Sequence, residues 1–344
     1  MNDYGNAKLL NYLGRFVPAF LVSYAVAAVL FLPLQNLLPA ENRSALDFFE
    51  PYRLLGMTTA IAQFIRALVL ALVLYPFYQH TVRARRAPLV LFSALWGLSF
   101  VGSIQPMPGS FEGLIYTETG AGEHLLVLAA GALQAGICIL MFLPWQRKSD
   151  VQGKLGITEE GARNGTERSV PEESSAPMWG VRLKGYLPRF VLLYVAVYIV
   201  AGMIFYQLSG YEEALAEMEA FELYRPLENP AMGAAVFLGQ FLRGSLLALM
   251  LAPFVMTCLR RRRTGSLLFF ALFFGTTVLG GPIFIPDLLT GIGETTAKEF
   301  FIELSAGVPE IVAQLLLFSL LFIGWMQQLR RKRATKTQSS SVPV

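Results

Sequence analysis

Gln63 and Arg66 stand three residues apart, on one helical face, inside the apolar run TTAIAQFIRALVLALVLYPF. Gln240 and Arg243 repeat the spacing inside AMGAAVFLGQFLRGSLLALMLAPF. A guanidinium with an amide beside it is a donor set that holds a carboxylate or a phosphate. Arg66 lies nine residues past Met57, about 14 Å along a helix, so it comes near the middle of a hydrocarbon layer about 30 Å thick. Arg243, eleven residues past Met232, reaches a similar depth. Gln134 and Gln314 each precede a tryptophan, Trp145 and Trp325, by eleven residues and arrive at that depth from the other surface.

An arginine left to lipid at this depth costs from about 3 to beyond 10 kcal/mol, so both must face protein or a wet cavity. The expected ligand-binding set is Gln63, Arg66, Gln134, Gln240, Arg243, Glu310 and Gln314. It requires the second and fourth helices of each half to touch. Glu310 is the carboxylate well inside an expected helix, four residues before Gln314 and on its face, whereas Ala130 takes the corresponding place in the first half. Pro309 is expected to loosen that helix and free carbonyls nearby. A plainer role competes with ligand binding: the arginines pair with Glu310, glutamines and carbonyls and hold the helices together.

These residues need long helices to position them. Hydrophobic residues make up 54% of the 344 and charged ones 15%, which excludes an ordinary soluble domain. Eight runs are apolar enough to read as transmembrane helices: Phe16–Leu38, Met57–Gln79, Pro88–Ile104, His124–Trp145, Phe190–Leu208, Met232–Leu259, Ser266–Ile285 and Phe301–Trp325. The first is too long for a cleaved signal peptide and is expected to stay as a helix. With the N-terminus inside, 22 of the 28 basic residues fall on inner segments, four on outer loops and two in the membrane. That asymmetry puts both termini in the cytoplasm. RRRR at Arg260–Arg263 is accounted for by topology and anionic inner-leaflet lipid, not by nucleic acid. A bacterial cytoplasmic membrane is the expected location.

The halves match in order. Tyr12-Leu13-Gly14-Arg15-Phe16 aligns with Tyr186-Leu187-Pro188-Arg189-Phe190, Phe49-Glu50-Pro51-Tyr52-Arg53 with Phe221-Glu222-Leu223-Tyr224-Arg225, and Pro76-Phe77 with Pro253-Phe254. Arg83, Arg85 and Arg86 align with Arg260, Arg262 and Arg263, and Glu123, Gln134 and Trp145 with Glu303, Gln314 and Trp325. The fold class expected is an all-α integral membrane protein of two tandem four-helix repeats in one orientation, related by a pseudo-two-fold axis along the membrane normal. Residues 1–147 and 181–333 form the repeats, 148–180 a flexible cytoplasmic linker, and 334–344 a disordered tail.

The outer loops carry the acidic residues. Glu50, Arg53, Glu222, Arg225, Glu123 and Glu303 lie near the outer surface, within upward reach of the arginines. Tyr211–Tyr224 reads as an interfacial helix, and Gln105–His124, rich in Pro and Gly, as a solvated loop, the alternatives being an ordered loop or one that dips back into the bundle. Glu112, Glu118, Glu123 and His124 cluster there, but a solvated acidic loop explains them better than acid–base catalysis. The other histidine, His80, has no metal-spaced partner, Cys138 and Cys258 read as small core residues, and no catalytic motif is present. No enzyme activity, metal or cofactor is expected. The expected function is binding or transport of an anionic solute or lipid headgroup. The alternative is a non-transporting scaffold or complex subunit that binds a membrane or extracytoplasmic protein through its acidic loops.

Overall fold

The computed structural model describes residues 3–48, 56–163, 183–208, 224–225, 230–294 and 297–339. Among them no strand occurs, and Thr117 and Tyr224 form an isolated antiparallel bridge. The helices are α1 (Asp3–Gln35), α2 (Met57–Leu74), α3 (Ala87–Val101), α4 (Phe111–Tyr116), α5 (Ala121–Arg163), α6 (Leu183–Leu208), α7 (Pro230–Arg260), α8 (Gly265–Thr277), α9 (Phe284–Glu294) and α10 (Ala297–Ser339), with shorter helical turns at Ala40–Asn42, Ser44–Phe48, Tyr75–Phe77 and Gln79–Arg83. Six of them, α1, α2, α5, α6, α7 and α10, are long and apolar enough to cross a membrane, as a multi-pass membrane protein requires.

The third apolar run of each half falls short of a crossing. Pro88–Ile104 was expected to span, but α3 stops at Val101 after six α-helical and nine π-helical residues. Ser266–Ile285 likewise is no single helix: α8 ends at Thr277 after 13 residues, and α9 begins at Phe284. At 1.5 Å per residue, 13 residues cover about 20 Å, less than the hydrocarbon. The breaks come at Gly102-Ser103 and at Gly280-Gly281-Pro282, where residues without a large side chain and a proline end the helix. Beyond Gly102 the chain folds into an ordered, largely buried segment, not a solvated loop. Gly109 has φ +84°, a left-handed conformation that favours glycine. Ser110 caps α4, its Oγ accepting from Gly113 N at 2.8 Å. Gly109 N donates to His124 Nδ1 at 2.9 Å, which ties the segment to α5.

Helix α5 continues through residues 148–163, the first part of the expected linker, and α10 continues to Ser339 in the expected tail. The rest of the linker and nearly all of Tyr211–Tyr224 lie outside the described residues.

α1 packs between α5 and α2, and α6 packs between α10 and α7. Aromatic clusters hold both arrangements. Phe142 meets Tyr12 and Phe16 at 5.3 and 5.2 Å, and Phe322 meets Tyr186 and Phe190 at 5.7 and 5.1 Å. The two groups of helices interlock: α2 packs on α8 and α9, while α7 packs on α3 and α4. Glycines let them approach. A Cβ on Gly275 would lie 2.6 Å from Val73, and one on Gly280 2.7 Å from Leu70; Gly97 meets Met250 and Gly102 meets Leu247, both at 2.9 Å. Toward the other ends of α2 and α7, Phe77 and Phe254 stand edge to face at 5.1 Å, and His80 Nε2 shares a hydrogen bond with Thr257 Oγ1 at 3.1 Å. Ile61, Phe64 and Leu72 on α2, and Leu238, Leu242 and Leu249 on α7, point outward as lipid-facing residues should.

Candidate functional site

Arg66 and Arg243 are both buried, at 1% and 2% exposure, so neither meets lipid. Each reaches the broken end of a short helix from the opposite group. Arg66 Nε donates to Gly280 O at 2.7 Å, in the turn that ends α8. Arg243 Nη2 donates to Gly102 O at 3.4 Å and Ser103 O at 3.3 Å, in the turn that ends α3. Carbonyls at a helix C-terminus have no intrahelical donors and carry partial negative charge, so a buried cation there satisfies both parties. Much of the cost of an intramembrane arginine is thereby offset by backbone.

The surroundings then diverge. Arg243 Nη1 forms an ion pair with Glu112, carried by α4, and donates to Tyr194 Oη at 2.8 Å. The Tyr194 hydroxyl donates to Gln240 Oε1 at 3.4 Å, and Tyr116 and Tyr198 hydroxyls bond each other at 2.6 Å nearby. This site is buried and ion-paired, and Arg243 Nε, Glu112 Oε2 and Gln240 Nε2 find no hydrogen-bond partner among the described residues. Its carboxylate is Glu112 from the outer segment, not Glu310. Glu310 is half-buried on α10, with an oxygen 3.8 Å from where a Cβ on Gly202 would lie.

Arg66 has no carboxylate within ion-pair distance among the described residues. Its Nη1 donates to Gln63 Oε1 at 3.2 Å, and its guanidinium lies over the rings of Phe20 and Phe100 at 5.3 and 5.5 Å. Beside it is a cavity of about 120 Å³. Gln63, Arg66, Gln134 and Tyr24 line it; the rest of the wall is apolar, from Ala27, Phe31, Phe100, Val127, Pro282, Ile283 and others. Gln134 is buried, and its Nε2 finds no hydrogen-bond partner among the described residues. Gln63 and Arg66 on α2 and Gln134 on α5 line this cavity together, and α7 packs against α10.

No protein-family model, curated protein or solved structure matches this chain.

The seven expected ligand residues thus divide. Gln63, Arg66 and Gln134 share the cavity, whereas Gln240 and Arg243 belong to the ion-paired cluster. Gln314 is half-buried on α10, its Nε2 without a hydrogen-bond partner among the described residues. Of the outer residues, Glu123 is buried and structural: its oxygens accept from Leu46 N at 2.9 Å and Gly120 N at 2.8 Å, capping the start of α5. Arg225 N donates to Tyr116 O at 2.8 Å and ties the outer segments together. Glu50, Arg53 and Glu222, and the side chain of Glu303, lie outside the described residues. Sequence reasoning missed Glu112 as a partner, and Tyr24 and Tyr194 altogether. Ser110 with Gly113, a helix cap inside the presumed loop, was the one signal of an ordered segment around Glu112.

Proposed function

We propose that this chain is a membrane protein of two tandem repeats and that the cavity beside Arg66 binds the anionic group of a solute or lipid. The observation that carries the binding reading is the contrast between the two arginines. Both cap a broken helix, but one is ion-paired with Glu112, while the other has no carboxylate within ion-pair distance among the described residues and faces a cavity. An anion at Arg66 would complete there what Glu112 completes at Arg243. Structural glue describes Arg243; the cavity favours a ligand at Arg66.

The tandem repeat is supported by reciprocity. Gly280 lies against Leu70 and Gly102 against Leu247; Gly275 lies against Val73 and Gly97 against Met250. Phe77 meets its counterpart Phe254. Such pairings are what a two-fold relation between duplicated halves produces. In this reading α3 and α8 are half-crossings, each completed by the irregular chain after it, which is tolerated at membrane depth only where protein or a wet cavity surrounds it. The parity of crossings, and so the inner location of both termini, is retained.

The test is solvent access. In a variant with Cys138 and Cys258 replaced by alanine, single cysteines at Ala27 and Ala130 in the cavity wall are exposed to a membrane-impermeant thiol reagent in intact cells. Rapid labelling supports a site open to outside solutes. Labelling only by a lipid-soluble reagent assigns the cavity to a lipid-borne anion. No labelling by either reagent sinks the binding reading.

A further inference from the structure

We infer that the group Arg66 takes is a single carboxylate on a short apolar stem; this rests on the anion site proposed above. The first reason is the chain's own use of the chemistry. Where Arg243 occupies the matching role, the anion seated on its Nη1 is the carboxylate of Glu112. The second is the number of donors. Arg66 and the unpartnered Nε2 of Gln134 approach the cavity from two helices, which suits the two oxygens of one carboxylate. A phosphate would bring further charged oxygens against the apolar wall of Ala27, Phe31 and Phe100, where desolvation without partners is costly. The third is charge: the Arg66 guanidinium has no carboxylate within ion-pair distance among the described residues, which leaves one positive charge to balance. The fourth is size. A cavity of about 120 Å³ is a little smaller than the ~150 Å³ that holds a benzene ring, so a carboxylate with three or so carbons fills it. A longer acid would have to leave past Tyr24 and Ala28, half-exposed residues of the wall.

The experiment is thermal unfolding of the full chain in a non-ionic detergent at constant ionic strength, with butyrate, laurate, butyramide or inorganic phosphate. Butyrate is expected to raise Tm by about 2–4 °C near saturation, and butyramide and phosphate not at all. The rise is expected to vanish in Ala130→Met, which fills the cavity and leaves Arg66 in place, and in Arg66→Leu. A rise with laurate and none with butyrate keeps the carboxylate but overturns the short stem, and assigns the site to a lipid-soluble acid. A rise with phosphate alone, lost in Ala130→Met, keeps the anion site and overturns the carboxylate. A carboxylate effect that survives Ala130→Met lies elsewhere and overturns the inference. No effect from any anion removes both the inference and the anion site.

Discussion

Arg66 donates from Nε to the carbonyl of Gly280 at 2.7 Å, across 214 positions of sequence. The contact ties α2 to the end of α8, and Arg243 makes the corresponding contact with the end of α3. The two arginines share a capping role but differ in what their loss would leave behind.

Arg243→Leu leaves Glu112 as a buried carboxylate without its cation and is expected to cost about 3–5 kcal/mol. Arg66→Leu leaves a buried carbonyl short of a donor and is expected to cost about 1–3 kcal/mol. Denaturant unfolding of both variants in the same detergent checks the order. Equal costs, or a larger loss at Arg66, would contradict the assignment of the two sites.

The pair Arg243 and Glu112 is expected to be strongly non-additive. Glu112→Leu alone strands the guanidinium, while the double variant Glu112→Leu with Arg243→Leu removes both charges together. The double variant is expected to be more stable than the sum of the single losses implies, by about 1–3 kcal/mol. A double-mutant cycle measures this, and simple additivity would mean that the two side chains do not interact in solution.

How much of this was legible in the sequence depends on which partner is considered. The depth expected for Arg66 and Arg243 came from counting residues along apolar runs, and the structure buries both side chains within the protein. Their main-chain partners were not legible, because a helix-end carbonyl has no residue-type signature. Hydropathy also ran past the breaks after Val101 and Thr277, since the segments that follow are apolar without being helical; the glycines at 102, 280 and 281 and Pro282 were the available warning. Glu112 was read as solvated because Pro and Gly around it resemble an ordinary loop, and only tertiary burial distinguishes the two cases. Glu310 was favoured for lying inside a long helix, although a short capped helix delivers a carboxylate as well.

The glycine contacts predict a difference between two substitutions. Gly275→Ala pushes a methyl against Val73 at 2.6 Å, and a β-branched side chain has little freedom to move aside. A loss of about 1–3 kcal/mol is expected. Gly97→Ala meets Met250 at 2.9 Å, and the flexible thioether can repack, so the change is expected to stay within about 1 kcal/mol of neutral. Adding Val73→Ala should relieve the first and not the second. Unfolding midpoints of the four variants decide it.

His80 makes stability depend on pH. Burial, and then the positive charge of Arg260, hold its pKa below the usual histidine value. The unfolded chain therefore binds the proton more readily, and stability is expected to fall as pH drops below about 6.5, then to level off under the folded value. His80→Gln keeps a group able to bond Thr257 and is expected to flatten the slope of Tm against pH in that window. An unchanged slope would assign the titration elsewhere.

The reciprocal caps also impose an order on synthesis. If the chain is made from its N-terminus at roughly 5–20 residues per second, Arg66 emerges about 10–40 s before Gly280 exists. For that interval α2 holds a cation whose partner has not been made, at a depth where lipid offers none. Arg243 has no such wait, because Glu112 and the carbonyls of Gly102 and Ser103 precede it. The first helices are therefore the ones that need shelter at the insertion machinery, and full seating of α2 is a late event, completed only when α8 closes over it.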